Sequence, residues 1–261
     1  MRAFAIALGL GFLLFAAGCG QGGSSHQAAK TEPDTRNRIE LTAADGMKIS
    51  AYLYRAPGKE KGPLILLFHQ AGSSAHEYDP IAPRLAKEGF SCLAVDQRSG
   101  GDLYGVNRTM ADNHLTSAPP YEDAYQDMEA ALDWAVQNGY SPILAWGSSY
   151  SASLVFRLAA EHKQVAAVLA FSPGEYMTEK GVVAGWASRV NVPTFVASAP
   201  AEVDQASAIF EKVASSDKRQ YVPDKGVHGS SMLREDKNPD GAEGVWQAVL
   251  SFLRPFQETK V

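Results

Sequence analysis

The sequence predicts an α/β fold: a mostly parallel, twisted sheet of about eight strands with helices on both faces. Five short apolar runs are continuous rather than alternating, which is typical of strands buried on both faces. These runs are Leu64–Phe68, Phe90–Val95, Ile143–Trp146, Val165–Phe171 and Pro193–Ala197. Segments with helical spacing lie between them, and this alternation of strand and helix favours a parallel sheet.

The remaining elements are predicted from local patterns. Arg38–Thr42 and Met47–Arg55 flank the turn sequence Ala44-Asp45-Gly46 and predict an antiparallel hairpin. Arg219–Val222 is the expected last strand. The predicted helices are Tyr78–Lys87, Tyr121–Gln137, Tyr150–His162, Lys180–Arg189, Val203–Val213 and Gly244–Leu253.

Composition excludes several classes of protein. The 24 Lys and Arg residues against 29 Asp and Glu give a net charge of −5, and no basic run offers a surface for nucleic acid. Two cysteines are too few for a disulfide framework and are not spaced as a zinc site. The histidines show no His-x-x-x-His spacing, so we expect neither a metal nor another cofactor.

The N-terminus predicts export. Arg2 precedes an apolar run that is too short for a spanning helix and ends at Gly18-Cys19, a pattern that resembles the lipobox of bacterial lipoproteins. Ala16 stands where that motif usually has Leu. The prediction is a signal peptide over 1–18, a lipidated Cys19 with a flexible tether over 19–37, and one folded domain over 38–261.

A lipidated Cys19 would attach the protein to the bacterial cell envelope. With no Asp directly after Cys19, a Gram-negative host is expected to send it to the outer membrane. The alternative is a plain signal peptide in which Cys19 is incidental. The sequence does not indicate an oligomeric state.

The segment Gly147-Ser148-Ser149-Tyr150-Ser151 predicts a nucleophile elbow, because it follows an apolar strand and precedes a helix. In that tight turn the residues two before and two after the nucleophile must be small. Gly147 and Ser151 meet this requirement for Ser149. Ser148 would place Trp146 and Tyr150 at the crowded positions.

On these residues the chain resembles the α/β-hydrolase superfamily, nearest to compact dienelactone-hydrolase-like and esterase-like members, over residues 38–254. The resemblance implies an α/β-hydrolase fold, here without a large cap domain. Dienelactone hydrolase itself uses a cysteine nucleophile, so Ser149 argues against that reaction.

The same resemblance implies a base and an acid for the nucleophile. Only His228 follows the last predicted strand, where the family carries its base. Glu202, just beyond Pro193–Ala197, is the favoured acid, with Asp204 and Glu175 as alternatives. The order serine, acid, histidine is the usual order of the fold.

The segment Phe68-His69-Gln70-Ala71-Gly72 looks like the His-Gly loop of the family, with Gln70 in place of Gly. Carried over by position, the backbone N–H groups of Ala71 and Tyr150 form the oxyanion hole. We interpret His69 as a structural histidine that braces this loop.

A long segment, 97–120, shows no clear periodic element and is expected at the mouth of the site. With Gln70, its candidate substrate-facing residues are Arg98, Tyr104, Asn107 and Arg108. Arg98 or Arg108 could meet an acidic group of the substrate. Alternatively, the segment wraps the surface and Arg98 pairs with Asp96 or another carboxylate.

The sequence therefore predicts a serine hydrolase that cleaves a carboxylic ester or related small acyl compound (EC 3.1.1, carboxylesterase-like) through an acyl-enzyme at Ser149. A peptidase or amidase of the same fold is the first alternative; the propeller that prolyl-oligopeptidase-type enzymes carry is not expected in 261 residues. The second is a non-catalytic envelope lipoprotein that uses the fold as a binding scaffold.

Overall fold

The computed structural model describes residues 37–257 of the chain. The predicted signal peptide (1–18) and all but the last residue of the predicted tether (19–37) lie outside the described residues. Asn37 already belongs to the first strand, so that strand begins one residue before the predicted domain.

Eight strands form one sheet in the order β1-β2-β4-β3-β5-β6-β7-β8. β2 runs antiparallel to both β1 and β4, and the strands from β3 to β8 are parallel to one another. This topology confirms the predicted fold class. The strands are β1 Asn37–Thr42, β2 Lys48–Tyr54, β3 Leu64–Phe68, β4 Ser91–Val95, β5 Ile143–Ser148, β6 Val165–Phe171, β7 Thr194–Ala197 and β8 Lys218–Tyr221.

The helices follow the predicted order. They are α1 Ala82–Lys87, α2 Arg108–Asp112, α3 Tyr125–Gln137, α4 Tyr150–Glu161, α5 Val182–Ala187, α6 Val203–Lys212 and α7 Ala242–Gln257. Short 3-10 helices add Ala75–Tyr78, Tyr121–Ala124, Pro200–Glu202 and Gly229–Leu233.

Two predictions of local structure were wrong. The helix predicted over Tyr78–Lys87 is split into a 3-10 helix and α1, because Pro80 lies between them and lacks the N–H that would continue the hydrogen-bond ladder. Pro83 is accommodated in the first turn of α1, where no such bond is needed. The segment 97–120, predicted without an element, contains the one-turn helix α2. The Asn107 side chain accepts from the Met110 N–H, and this cap starts the helix in a stretch with no apolar period.

Side chains of the central strand alternate between two cores. Leu64, Leu66 and Phe68 of β3 point into a core shared with α3, α4, α5 and α6, whereas Ile65 and Leu67 point into the core beneath α1 and α7. All five are fully buried, so each contributes about 2 kcal/mol or more relative to an exposed position. The two cores fix the sheet that carries the site.

Cys92 lies in β4, fully buried beside Ile65 of β3 and Tyr54 of β2 in the register of the sheet. Burial raises the pKa of its thiol well above the usual range. Cys92 therefore acts as a small apolar side chain, as predicted.

Across residues 37–257, none of the helices has both the length and the apolar character that crossing a membrane requires.

Candidate active site

Ser149 stands at the junction between β5 and α4 in a strained conformation. Its φ of 60° and ψ of −121° lie outside the regions that a residue with a side chain ordinarily adopts. A hydrogen bond of 2.8 Å from its N–H to Phe171 O holds the turn against the neighbouring strand. Ser149 is 6% exposed and occupies the N-cap position of α4, at the positive end of the helix dipole, without a side-chain hydrogen bond to the helix. This strained turn between a strand and a helix has the geometry that the sequence predicts for a nucleophile elbow.

The small residues around Ser149 have direct steric reasons. A Cβ at Gly147 would lie 2.3 Å from Ser151 O, closer than two atoms can approach. The Ser151 hydroxyl donates to His69 O at 2.6 Å and so ties the elbow to the loop after β3. Ser148, the neighbouring serine that the sequence disfavours as nucleophile, is fully buried. Its hydroxyl donates to Glu77 Oε1 at 2.8 Å.

His228 and Glu202 meet at the carboxyl ends of the last two strands. His228 follows β8, Glu202 follows β7, and 2.5 Å separates His228 Nδ1 from Glu202 Oε1. With Nδ1–H donating to the carboxylate, Nε2 is the nitrogen left to accept a proton. The two side chains are 39% and 24% exposed, so the pair is accessible from solvent.

The environment of Glu202 keeps it ionised. Burial acts to raise its pKa, but hydrogen bonds from His228 and Ser172 and the charge of His228 together hold that pKa below its usual range. A charged carboxylate is what orients a histidine and stabilises its protonated form.

Ser172 is a residue that sequence reasoning missed. It follows β6 with a φ of 55°, donates to Glu202 Oε2 at 2.6 Å and accepts from the Gly229 N–H at 2.9 Å. It thus connects the acid to the loop of the histidine. A serine directly after an apolar strand was its only signal, and that signal is shared by many turns.

The alternative acids lie elsewhere. The Glu175 carboxylate accepts from the backbone N–H groups of Gly181, Val183 and Ala184 and so caps α5. Asp204 is exposed in the first turn of α6. Of the three candidate acids, the structure brings only Glu202 to His228.

The loop after β3 lies beside the elbow. The Gln70 N–H donates to Glu77 Oε2 at 2.8 Å, which leaves it unable to serve an oxyanion. Within residues 37–257, no acceptor is found for the N–H of either Ala71 or Tyr150, the two predicted oxyanion donors. Gln70 in place of Gly leaves open which backbone N–H of this loop points to the oxyanion. Since the Gln70 N–H is already bonded, the Ala71 N–H remains the predicted donor.

His69 braces the loop, as the sequence predicts. Its Nδ1–H donates to Gln70 O at 2.9 Å, and its Nε2 accepts from the Gln97 N–H at 2.9 Å. Burial lowers the pKa of His69 to about 4, so the ring is neutral at physiological pH. Both ring nitrogens are occupied by backbone partners and the ring is fully buried, so His69 is not placed to exchange a proton with a substrate.

Arg98 does not face a substrate. It is 4% exposed; its Nε donates to Asp127 Oδ1 at 2.9 Å, its N–H donates to Asp127 Oδ2 at 2.7 Å, and its guanidinium also pairs with Asp45. The structure therefore favours the alternative of a paired arginine, although the partners are these two carboxylates and not Asp96. The expectation of a substrate contact at Arg98 was wrong because burial demands that its charge be satisfied internally.

The other residues predicted along the loop differ in their surroundings. Asn107 is buried as the cap of α2 and donates to Gln97 O, so it too does not face a substrate. The Tyr104 hydroxyl lies 2.7 Å from Ser231 Oγ and contacts the histidine loop. The side chain of Arg108 is exposed. Gln70 is buried, 8% exposed, and its side-chain amide donates to Ser231 Oγ at 3.0 Å.

Tyr176 borders Ser149, and the sequence does not predict it there. Its hydroxyl donates to Ser172 O at 3.1 Å and accepts from Gln205 Nε2 at 2.9 Å. Burial raises the pKa of Tyr176, while hydrogen bonding to Gln205 and to Ser149 acts in the opposite direction. Nothing in the sequence distinguishes this tyrosine from the nine others.

One group in the described part of the chain has metal-ligand types at suitable spacing. Glu129, Glu161 and His162 offer ligand atoms within 4.8 Å of one another on the surface of α3 and α4. Glu161 already pairs with Arg157 at 3.1 Å, and that cation competes with any metal. The group has no contact with Ser149 in the structure.

The fold and the elbow together define an α/β-hydrolase. The chain belongs to the family described as Serine aminopeptidase, S33, which it matches over residues 59–233. That span contains Ser149, Glu202 and His228, and it supports hydrolase activity for the chain.

One named relative is similar to part of the chain. The chain is 29% identical over 134 residues to the quorum-quenching protein AidA of Acinetobacter baumannii, a match that covers 50% of this chain and 41% of that protein. The chain therefore aligns with less than half of the length of that relative.

Solved structures share the fold. The esterase Pf2001 of Pyrococcus furiosus superposes with a TM-score of 0.66 at 19% identity, over 85% of this chain and 93% of that one. A dienelactone hydrolase from Anabaena variabilis gives a TM-score of 0.66 at 16% identity, over 85% and 97% of the two chains. At identities this low, the similarity shows a shared fold and nothing about the reaction.

Proposed function

We propose that this protein is a serine hydrolase that cleaves a carboxylic ester through an acyl-enzyme at Ser149. The observation that carries the proposal is the 2.5 Å contact between His228 Nδ1 and Glu202 Oε1 at the sheet edge where the strained Ser149 stands. A serine, a carboxylate and a histidine in this chain order are the nucleophile, the orienting acid and the base of the fold.

In the proposed reaction Ser149 Oγ attacks the carbonyl carbon of the ester while His228 Nε2 accepts the hydroxyl proton. Glu202 stabilises the resulting imidazolium, because its carboxylate is held ionised beside Nδ1. The backbone N–H groups of Ala71 and Tyr150 would bind the oxyanion, a contribution of about 3–4 kcal/mol per donor in well-studied cases. The alcohol leaves with the proton from His228, and water then releases the acid by the same steps in reverse.

The test is labelling of the purified full chain with a fluorophosphonate, which reacts with activated serines. Intact mass is expected to show one adduct that maps to Ser149 and is lost in Ser149→Ala and at least 100-fold slower in His228→Ala. Ser188→Ala, a change of an exposed serine at the end of α5, serves as the matched control and should label as wild type does. A folded wild-type protein that does not label would favour the non-catalytic scaffold.

A peptidase or amidase is the second candidate, because the family description names an aminopeptidase. The two candidates separate with pairs of substrates that share an acyl group and differ only in an alcohol or amine leaving group. A larger kcat/KM on the ester supports the proposal. A larger value on the amide, or on the free N-terminus of a peptide, supports the alternative.

The physiological substrate is proposed to be a small acyl compound. A quorum-quenching relative makes ester-bearing signalling molecules a reasonable part of the first panel, beside simple esters of increasing acyl length. A steep preference within the panel would identify the class of the substrate.

We also propose attachment to the cell envelope through a lipid on Cys19, which rests on the sequence alone. Incorporation of labelled palmitate into the wild-type protein in its native host, and its loss in Cys19→Ser, is the expected result. Label that persists in Cys19→Ser, or none in wild type, would favour a plain signal peptide.

A further inference from the structure

A fully buried acidic residue, Glu77, lies among the three loops that carry the proposed catalytic groups. It belongs to the 3-10 helix Ala75–Tyr78 and is 0% exposed. The proposed reaction gives it no role. Buried carboxyl groups are costly unless they are bonded, so the partners of Glu77 indicate what it does.

Its two carboxyl oxygens hold two different loops. Oε2 accepts from the Gln70 N–H at 2.8 Å, and Gln70 directly precedes the proposed oxyanion donor Ala71. Oε1 accepts from the Ser148 hydroxyl at 2.8 Å, and Ser148 directly precedes the proposed nucleophile Ser149. Glu77 therefore contacts the residue before the proposed oxyanion donor and the residue before the proposed nucleophile.

The third loop is reached through Ser148. Ser148 Oγ accepts from the Ser230 N–H at 2.8 Å, two residues beyond His228. Between them, Gly229 has a φ of 65°, and a Cβ there would lie 2.3 Å from Ser148 Oγ, so the loop packs tightly on this hydroxyl.

The helix that carries Glu77 is itself held in place. Arg234 Nη1 donates to His76 O at 3.2 Å and to Glu77 O at 2.9 Å. The side chain of Gln70 adds a bond to Ser231 Oγ at 3.0 Å and lies 3.3 Å from Glu77 Oε1. Gln70, the departure from the family's Gly, thus belongs to the same network.

We propose that Glu77 is a positioning residue that fixes the oxyanion loop, the nucleophile elbow and the histidine loop relative to one another. The inference rests on the proposed function, since it concerns the placement of Ala71, Ser149 and His228. Glu77 touches none of these three side chains or the substrate, and it acts through Gln70 and Ser148.

The charge of this carboxyl changes near neutral pH. Burial raises the pKa of Glu77 to about 7, against the hydrogen bonds from Gln70 and Ser148 and the charges of Arg234 and His228. Tyr78 and Tyr150 are the other titratable groups that face it, and its charge acts to raise the pKa of both. When Glu77 is protonated, its carboxyl group must donate a hydrogen bond. Of its partners Gln70 N–H and Ser148 Oγ, only the Ser148 hydroxyl can turn to accept that bond.

The test compares Glu77→Gln with wild type and with Glu235→Gln, a change of an exposed glutamate next to Arg234. We expect Glu77→Gln to fold, to react with fluorophosphonate at least 10-fold more slowly at pH 8 and to keep the ester KM within twofold. The gap in rate should narrow at pH 6, where wild type is also neutral at this position. Glu235→Gln should match wild type throughout.

Two results would overturn the inference while leaving the proposed function intact. One is a labelling rate in Glu77→Gln equal to that of wild type. The other is a ratio of wild-type to variant labelling rates that stays constant from pH 6 to 8.5, because Glu77 would then have a purely structural role. Ser148→Ala removes the same bond from the other side and carries the rate test if Glu77→Gln does not fold. If both variants fold, the double variant should lose less than the product of the two single losses. Full additivity contradicts the inference. Failure of wild type to label contradicts the proposed function itself.

Discussion

The Ser172 hydroxyl donates to Glu202 Oε2 at 2.6 Å, on the carboxylate oxygen that does not contact His228. The carboxylate is thereby held at both oxygens, and it cannot rotate away from the imidazole without losing a charge-assisted bond. The same hydroxyl accepts from the N–H of Gly229, the residue after His228. One serine thus fixes the acid and the backbone of the base together.

Replacing Ser172 by Ala should lower kcat/KM by about 10- to 100-fold, because a hydrogen bond to a charged group contributes about 1.5–3 kcal/mol. Most of the loss should fall on kcat, since Ser172 orients the acid and does not bind substrate. Steady-state kinetics on the best ester of the panel measures both constants. Ser188→Ala is the control, and equal values in the two variants would show that Glu202 needs no second support.

Replacement by alanine should have opposite effects on stability at Gly147 and at Gly185. At Gly147 a Cβ would lie 2.3 Å from Ser151 O, so Gly147→Ala must deform the elbow at a cost of at least about 1–3 kcal/mol and with loss of activity. A Cβ at Gly185, inside α5, would meet no atom within 4 Å beyond the backbone of its own helix, and alanine should stabilise the helix by about 0.5–1 kcal/mol. Thermal unfolding of both variants measures the contrast, which fails if their Tm shifts have the same sign.

Arg98→Met should destabilise the fold by about 3–5 kcal/mol, since it leaves the buried Asp127 without its partner. Adding Asp127→Asn should recover part of that loss, because the uncompensated charge is then removed. Arg108→Met, at an exposed site of the same loop, should change stability by less than about 0.5 kcal/mol. Urea unfolding gives these values. A raised KM with unchanged stability in Arg98→Met would restore the idea of a substrate contact.

Glu77 should make stability fall as pH rises. Its pKa is about 7 in the folded protein against an ordinary value of 4.5, so the folded state binds the proton more tightly and loses about 3 kcal/mol between those two values. His69, with its pKa lowered to about 4 from 6.5, has the opposite effect: its stabilisation is complete above 6.5 and declines toward 4.

Because the two effects oppose each other, the informative quantity is the difference between Glu77→Gln and wild type. His69 contributes equally to both proteins, so the free energy of unfolding of the variant should gain about 3 kcal/mol on that of wild type from pH 4 to pH 8. Urea titrations at several pH values measure it. Parallel curves for the two proteins would mean that Glu77 ionises as it does in water.

Local sequence was sufficient for the elements that depend on short patterns. The continuous apolar runs identified β3 and β6 to the residue, because strands buried on both faces carry no polar interruption. The elbow was visible because its steric rule concerns residues only four apart, Gly147 and Ser151. His228 and Glu202 were found through the order of strands that the resemblance supplied.

The residues that were missed act across large separations in the chain. Glu77 meets Ser148 across 71 positions, and a buried carboxyl in a one-turn helix leaves no periodic trace. Arg98 was ambiguous for the same reason: its partners Asp45 and Asp127 are 53 and 29 positions away. Pairing partners of a charge are set by tertiary contacts, which a single sequence does not contain.

Cys92, enclosed between β2 and β3 in the middle of the sheet, is a natural reporter of how the molecule opens. An alkylating reagent reaches its thiol only after the central strands have separated, so the rate of modification measures the population of that open state. Surface fluctuations in the loops around Ser149 leave this rate untouched. Cys92 therefore distinguishes a variant that loosens only the catalytic loops from one that weakens the whole fold.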